Sequence, residues 1–173
     1  TVDRDELLDA ARGLAQRGGW LIVDEAFGDT NPENTVAALA GSESAPNLIV
    51  LRSLGKFFGL AGARVGFILG DTDLIRPLRD QLGPWSIAHP SRIVARRALT
   101  DSAWQTAMRE RLAATSQRLA AMLAPLGTVR RTALFCTVGD EEAPVPVAAL
   151  ADHFARHAIL VRAFAAHGRL RFG

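Results

Sequence analysis

Lysine is almost absent from this chain of 173 residues. Lys56 is the single lysine among 20 basic residues, and the others are arginines. Arginine and lysine both carry positive charge, but only lysine supplies an amine that can lose its proton and attack a carbonyl. A coding bias towards arginine would also remove lysines. Composition alone therefore indicates, without deciding it, that Lys56 is kept for amine chemistry.

Several other features are scarce as well. Cys136 is the single cysteine, which excludes an internal disulfide and is typical of a reducing cytoplasm. No apolar run approaches the roughly 20 residues of a membrane span, and the charged start does not have the pattern of a signal peptide. The net charge of +2 does not indicate a nucleic-acid surface. We therefore expect a cytoplasmic protein that binds neither membranes nor nucleic acids.

The two ends of the chain predict a piece of a longer protein. The chain has no initiating methionine and opens directly at a helix start, where Asp3 and Glu6 resemble a capping box. It stops inside a predicted strand at 169–172. We therefore expect further chain to precede it and to follow it.

Hydrophobic patterns in the first hundred residues predict alternating strands and helices. Short apolar runs indicate buried strands, and helical spacing indicates helices between them. The predicted strands are 20–23, 47–51 and 65–69, and the predicted helices start at Asp3 and cover 35–40 and 72–82. This order is typical of an α/β layer with a largely parallel sheet, whose functional groups lie beyond the carboxyl ends of the strands.

The remainder of the chain has a different pattern. Two long helices over 90–99 and 102–123 precede a mixture of strands and one helix. The strands are predicted at 128–131, 134–138, 159–164 and 169–172, and the helix at 147–157. We therefore expect two domains, an α/β part over 1–100 and an α+β part over 101–173.

Other kinds of site fit the sequence poorly. Asp24 and Glu25 after an apolar strand are similar to a Walker B segment, but the Gly-Lys pair ending at Lys56 lacks the earlier glycine and the following hydroxyl of a P-loop. His153 and His157 have the spacing of metal ligands on a helix, but no further ligand cluster accompanies them. We expect a solvated helix face there and no metal.

Four residues with complementary chemistry follow the predicted strands. Asp24 ends one strand, and Ser53 and Lys56 follow another as Ser-x-x-Lys. Arg64 lies eight residues beyond the lysine. Pyridoxal phosphate requires an amine for its aldehyde, a carboxylate for its pyridine nitrogen, and a hydroxyl and a guanidinium for its phosphate. The set therefore predicts a pyridoxal-phosphate site at this edge of the sheet.

The segments that carry these residues resemble a known family. They are similar to the fold-type I pyridoxal-phosphate enzymes of the class I/II aminotransferase superfamily, in the histidinol-phosphate aminotransferase branch, at 23–27, 52–57 and 62–66. Within that branch, three segments resemble the threonine-phosphate decarboxylase subgroup of cobalamin biosynthesis, at 24–27, 83–87 and 101–105. The resemblance implies that the chain holds part of a large cofactor-binding α/β domain and part of a small C-terminal α+β domain.

The resemblance also implies roles for individual residues around the cofactor. Lys56 is the catalytic residue and holds the cofactor aldehyde. Asp24 pairs with the pyridine nitrogen, and Ser53 and Arg64 bind the cofactor phosphate. Phe27 stands where aminotransferases of the branch usually have a tyrosine that donates to the ring oxygen, and this chain has no tyrosine.

Two arginines are implied to bind the substrate. Arg171 matches the arginine that takes the α-carboxylate, and Arg162 matches a second substrate-binding arginine, suited to a substrate phosphate. Phe27 favours decarboxylation of L-threonine O-3-phosphate to (R)-1-amino-2-propanol phosphate. The alternatives are amino transfer of the histidinol-phosphate type and a non-catalytic regulatory relative. The resemblance further implies a homodimer.

Overall fold

The computed structural model describes residues 2–139 and 146–173. The chain divides into two compact units, Thr1–Asp101 and Ser102–Gly173. Over 2–139 and 146–173, each unit contains one β-sheet, with three strands in the first and four in the second. Within the described residues, no helix combines the length and the apolar character that crossing a membrane requires.

The first unit builds a mixed sheet flanked by helices. Its elements are α1 (Arg4–Ala15), β1 (Leu21–Asp24), β2 (Leu48–Ser53), β3 (Gly66–Leu69), α2 (Thr72–Leu82) and α3 (His89–Thr100). The strand order is β1-β2-β3. Strand β1 runs parallel to β2, and β3 runs antiparallel to it. Because β1 and β2 are parallel, the segments that follow them leave the sheet at the same edge.

Helix α1 begins and packs as the sequence pattern predicts. The Asp3 carboxylate accepts a hydrogen bond from the Asp5 backbone N–H at 2.8 Å, which satisfies one of the unpaired donors at the helix start. Leu7 and Leu8 pack against the buried cluster of Val36, Ala45, Leu48 and Val50. One face of the sheet is therefore closed by α1.

The predicted burial of the first strand is wrong for one face of β1. Ile22 is 61% exposed and Trp20 is 47% exposed. The strand register places Ile22, Ile49 and Ile68 on one face of the sheet. Helix α1 packs on the opposite face, which Leu21 and Val23 share with the buried cluster. Burial of an apolar run depends on what covers each face, and the run itself does not specify this.

The helical stretch predicted near 35–40 is short in the structure, where it forms a single 3-10 helix at Ala37–Leu39. The backbone N–H of Val36 donates to the Glu25 carboxylate at 2.7 Å, so the start of the segment is fixed by a long-range contact. At its end, Gly41 has φ +69° and lies against the backbone of Asp71, where a Cβ atom would collide. Tertiary contacts at both ends therefore limit this helical stretch to a single turn.

The second unit is an antiparallel sheet covered by helices on one face. Its elements are α4 (Ser102–Leu123), β4 (Val129–Arg131), β5 (Cys136–Val138), α5 (Val147–Arg156), β6 (Arg162–Phe164) and β7 (Arg169–Phe172). The strand order is β4-β5-β7-β6, and every pairing is antiparallel. Buried residues from both helices and from the strands form its core: Leu123, Cys136, Val138, Leu150, Leu170 and Phe172.

Alternation along β7 separates the core from the opposite face of this sheet. Leu170 and Phe172 are buried in the core, whereas Arg169 and Arg171 are only partly buried and point the other way. Strand β6 starts at Arg162, later than the predicted start at 159, and Leu160 before it is 99% exposed. The apolar run at 159–161 therefore contributes little to the core, with Val161 packed against it.

Candidate active site

The loop after β2 exposes Lys56 to solvent, while its apolar neighbours are buried. Lys56 is exposed, whereas Leu54, Phe57 and Phe58 on either side of it are buried, and the two phenylalanine rings form an edge contact with centroids 5.0 Å apart. The backbone N–H of Leu54 donates to the Val65 carbonyl at 3.3 Å. Buried apolar neighbours thus fix the backbone of the loop while its one amine faces outwards.

Three of the predicted cofactor residues line one cavity. Ser53, Lys56 and Arg64 border a cavity of about 260 Å³, and backbone and apolar atoms of 55, 60–61 and 65–66 complete its wall. The Ser53 hydroxyl accepts a hydrogen bond from the Gly55 N–H at 3.1 Å, which fixes the side chain at the end of β2. The cavity therefore brings together a hydroxyl, an amine and a guanidinium.

Arg64 reaches this cavity through an uncommon backbone conformation. It has φ 53° and ψ 45°, the left-handed region, directly after the 3-10 turn Ala61–Ala63. A residue with a side chain costs of order 1–3 kcal/mol in such a sparsely populated region. The Arg64 guanidinium donates to the Ala61 carbonyl at 3.2 Å. The turn reverses the chain, so that Arg64 joins Ser53 on one wall.

Asp24 and Phe27 lie at the end of the neighbouring strand. Asp24 pairs with Leu51 in the parallel register, and its exposed carboxylate accepts the Ala26 N–H at 2.9 Å. Neither Asp24 nor Phe27 belongs to the wall of the cavity described above. The Lys56 Nζ atom, however, lies 5.4 Å from the centroid of the Phe27 ring. The two loops therefore meet at the lysine.

Sequence reasoning missed a buried cluster of charged residues beside this site. Glu25 and Asp29 are each 7% exposed, and both bind the Arg52 guanidinium. The distance from Arg52 Nη1 to Glu25 Oε2 is 3.3 Å. Glu25 also accepts hydrogen bonds from the Thr35 hydroxyl and from the Val36 N–H. The cluster connects the segment after β1 to the end of β2, where Arg52 lies.

One feature of the sequence could have revealed this cluster. Arg52 follows the apolar run at 48–51 within the same strand, and a guanidinium at the end of a buried strand favours a nearby counter-charge. Glu25 directly follows β1. Reading the two residues as partners would have predicted their ion pair, whereas Asp29 and Thr35 carry no comparable pattern.

The two predicted substrate arginines lie in the second unit. Arg162 and Arg171 are directly opposite each other in the β6–β7 register. The Arg171 Cζ atom is 4.3 Å from the Phe135 ring centroid and 5.7 Å from that of Phe164, and the Arg162 Cζ atom is 5.4 Å from Phe164. Among the described residues, neither arginine forms an ion pair. Two guanidinium groups are thus held together by aromatic faces instead of carboxylates.

The other titratable residues considered in the sequence analysis are His153, His157 and Cys136. The rings of His153 and His157 are 4.4 Å apart on α5, and Nδ1 of His157 lies 2.9 Å from the His153 carbonyl oxygen. Over 2–139 and 146–173, no group of three or more potential metal ligands occurs. Cys136 is fully buried in the core; burial raises the pKa of its thiol, and the Arg131 guanidinium partly opposes this.

Comparison with known proteins yields relatives with sequence similarity. The chain is 48% identical over 170 residues to a threonine-phosphate decarboxylase of Pseudomonas aeruginosa, which covers 97% of this chain and 49% of that protein. It is 29% identical over 168 residues to a histidinol-phosphate aminotransferase of Pseudoalteromonas atlantica, covering 94% of this chain and 43% of that protein. The chain thus spans about half the length of the curated relatives it matches.

Structural comparison yields the same fold. The chain superposes on a histidinol-phosphate aminotransferase from Sinorhizobium meliloti, solved in complex with pyridoxal-5'-phosphate, with a TM-score of 0.78 and 22% identity. The match covers 98% of this chain and 48% of that one. The α/β fold predicted from the sequence is therefore confirmed. Because the family model for aminotransferase class I and II also matches residues 1–173, the chain belongs to the class I and II aminotransferase family.

Proposed function

We propose that this chain is the part of a pyridoxal-phosphate enzyme that carries the cofactor-linking lysine. The observation that carries the proposal is that Ser53, Lys56 and Arg64 border one and the same cavity. These side chains fit the cofactor chemically, since an amine can bond to its aldehyde while a hydroxyl and a guanidinium can bind its phosphate. Because Lys56 is the single lysine, no other side chain of this sequence could supply the amine.

Each residue of the proposed cofactor site has a distinct task. Lys56 would hold the cofactor, and its amine could carry a proton to or from the substrate's α carbon. Ser53 and Arg64 would hold the phosphate. Asp24 would keep the pyridine nitrogen protonated, and Phe27 borders the lysine. When bound, pyridoxal phosphate supplies an electron sink for the charge that develops at the α carbon.

The proposed reaction is the decarboxylation of L-threonine O-3-phosphate to (R)-1-amino-2-propanol phosphate, a step of cobalamin biosynthesis. Its main support is the 48% identity to a threonine-phosphate decarboxylase over nearly the whole chain. Phe27 supports it as well, because a phenyl ring cannot donate the hydrogen bond that a tyrosine would give. Amino transfer of the histidinol-phosphate type is the second candidate, supported by the weaker similarity to an aminotransferase with that name.

The substrate is proposed to carry two anionic groups. Arg171 would bind its α-carboxylate, and Arg162 would bind its phosphate. Their opposition across β6 and β7 supports this, since two neighbouring guanidinium groups suit a ligand with two separate negative charges. A planar guanidinium can also bind either group through two hydrogen bonds at once.

The wider context belongs to the proposal too. The first unit is proposed to be part of a large cofactor-binding domain and the second part of a small C-terminal domain. The full-length protein is proposed to be a cytoplasmic homodimer, as the family resemblance implies. Its partners would be small phosphorylated amino acids, and neither nucleic acid nor membrane is expected.

The deciding experiment uses the full-length protein loaded with pyridoxal phosphate. Release of carbon dioxide from L-threonine O-3-phosphate is measured, and amino transfer from histidinol phosphate is measured separately in the presence of a keto acid. We expect carbon dioxide release without a keto acid and little amino transfer. If threonine phosphate yields no carbon dioxide, the decarboxylase proposal is wrong, and keto-acid-dependent transfer would then favour the second candidate.

A further inference from the structure

The buried charge cluster beside the lysine has an unusual composition. Two carboxylates, those of Glu25 and Asp29, share one guanidinium, that of Arg52. Both acidic side chains are 8% exposed and the arginine side chain is 23% exposed. Charges removed from water in this way carry a desolvation cost that their mutual attraction often fails to repay. Stability alone is therefore a weak reason for the cluster.

The location of the cluster beside the lysine offers a better explanation for it. Glu25 directly follows Asp24, and Asp29 lies two residues after Phe27, so the two carboxylates bracket the segment that faces Lys56. Arg52 directly precedes Ser53 at the end of β2. One guanidinium thus connects both sides of the site through fixed, planar geometry.

Further contacts hold the same segment in place. The Glu25 backbone N–H donates to the Leu51 carbonyl at 2.8 Å, which extends the parallel pairing past the end of β1. The Glu25 carboxylate also accepts the Val36 N–H at 2.7 Å. Gly28 passes so close that a Cβ atom there would lie 3.1 Å from the Glu25 Cβ atom. The segment therefore has little room to shift while the cluster is intact.

We propose that Arg52 is a positioning residue that binds Glu25 and Asp29 in order to fix Asp24 and Phe27 relative to Lys56. Its effect on cofactor binding rests on the proposed function. Its effect on the conformation of the segment at 24–30 does not. The two effects can therefore be measured separately.

The test compares two substitutions with a matched control. Arg52→Lys keeps the positive charge but loses the planar fork that reaches both carboxylates, and Arg52→Met also removes the charge. Ala11→Gly is the control: Ala11 is buried in α1, and glycine there lowers helix stability without touching the cluster. Arg52→Lys keeps the proposal testable if Arg52→Met does not fold.

The first measurement requires no cofactor and follows amide hydrogen exchange of Val36 in the full-length protein. Val36 donates directly to the Glu25 carboxylate, so its amide reports on the cluster. We expect exchange to be at least about 10-fold faster in Arg52→Lys, because charge-assisted hydrogen bonds are weakened. Unchanged exchange in both Arg52 variants would overturn the proposal.

The second measurement is the dissociation constant of pyridoxal phosphate, with kcat and KM for threonine phosphate. We expect Arg52→Lys to weaken cofactor binding by about 10- to 100-fold, the size of the effect that loss of an outer partner has at metal sites. We also expect a lower kcat with little change in KM, since Arg162 and Arg171 are untouched. Ala11→Gly should reduce thermal stability while leaving cofactor affinity nearly unchanged.

Two outcomes separate the possible failures. If Ala11→Gly weakens cofactor binding as much as Arg52→Lys does, Arg52 acts through general stability and the positioning role is wrong. If the wild-type protein binds no pyridoxal phosphate, the proposed function fails instead. In that case the exchange rate of Val36 alone decides whether Arg52 fixes the segment.

Discussion

Arg162 and Arg171 lie directly opposite each other in neighbouring antiparallel strands, and the Phe164 ring is within 6 Å of both guanidinium groups. Like charges directly opposite each other destabilise a β-sheet. Contacts with aromatic rings offset part of this destabilisation, since each guanidinium is attracted by a ring. The arrangement supports the proposal that an anionic substrate binds to this pair.

The two arginines should be separable by substrate. We expect Arg171→Met to raise KM about 10- to 150-fold for any amino-acid substrate, because a charge-assisted contact to the carboxylate is lost. Arg162→Met should raise KM for threonine phosphate and leave weak binding of unphosphorylated threonine unchanged. Steady-state kinetics of the full-length protein measure both effects.

The control for that pair is Arg156→Met. Arg156 is exposed on α5 and pairs only loosely with Asp152, at 3.6 Å, so its loss should not alter KM. Equal effects of Arg162→Met on phosphorylated and unphosphorylated substrates would contradict the assignment of Arg162 to the phosphate.

Substitution of the single lysine tests the central assignment. We expect Lys56→Ala to abolish the visible absorption band of the bound cofactor and to lower kcat by at least about 100-fold, the smaller end of a proton-transfer contribution. Lys56→Arg is the matched variant, because it keeps the charge without an amine that can attack the aldehyde. A band that persists in Lys56→Arg would show that another group holds the cofactor.

Phe27 offers a test of reaction type. The Phe27 ring lies 5.4 Å from Lys56 Nζ, so Phe27→Tyr brings a hydroxyl to this side of the site. A hydrogen bond to the cofactor's ring oxygen would stabilise its charged form, and we expect the pH midpoint of the visible band to fall. We also expect more amino transfer relative to carbon dioxide release.

Phe27→Leu separates the hydroxyl from the change of side chain itself. It removes the ring without adding a donor, so the pH midpoint should not fall as it does in Phe27→Tyr. If both variants shift the midpoint equally, the hydroxyl has no specific effect at this position.

Cys136 gives a pH dependence of stability. Burial raises the pKa of its thiol, so the folded protein keeps the proton after the unfolded chain has lost it. The resulting stabilisation is fully present below the pKa of the unfolded thiol, about 8.5, and is lost as pH rises towards the folded pKa. We expect Cys136→Ala to make the free energy of unfolding fall less steeply between about pH 8 and 10.

Urea denaturation across this pH range measures the difference. Val138→Ala is the control, since Val138 lies in the same core and does not titrate. It should reduce stability by a similar cavity effect at every pH while keeping the wild-type slope. Identical slopes in the wild type and Cys136→Ala would contradict a folded-state shift.

Much of the local structure followed from the sequence. The Asp3 cap, the long helix Ser102–Leu123 and the strand Arg169–Phe172 were predicted because capping, 3.6-residue spacing and alternation act over a few residues. A short helical stretch was predicted near 35–40, and the structure limits it to a 3-10 helix at Ala37–Leu39. Its conformation depends on Glu25, ten residues earlier, and on the backbone of Asp71, which no local pattern contains.

For the candidate site, too, some features follow from the sequence and others only from the tertiary structure. The sequence by itself determined the identity of the groups: a single amine, a hydroxyl three residues before it and a guanidinium eight residues after it. Only the tertiary structure decided that these groups border one cavity and that Phe27 faces Lys56. Chemical identity is a property of each residue, whereas convergence depends on the parallel pairing of β1 with β2 and on the turn at Arg64.

The buried cluster of Glu25, Asp29 and Arg52 shows most clearly what prediction from the sequence cannot reach. Each residue is charged, and its type alone favours an exposed position. The structure buries all or most of each side chain because the three compensate one another at short range. Pairing across 23 to 27 positions of the chain is decided by the fold, since only folding brings the end of β1 against the end of β2.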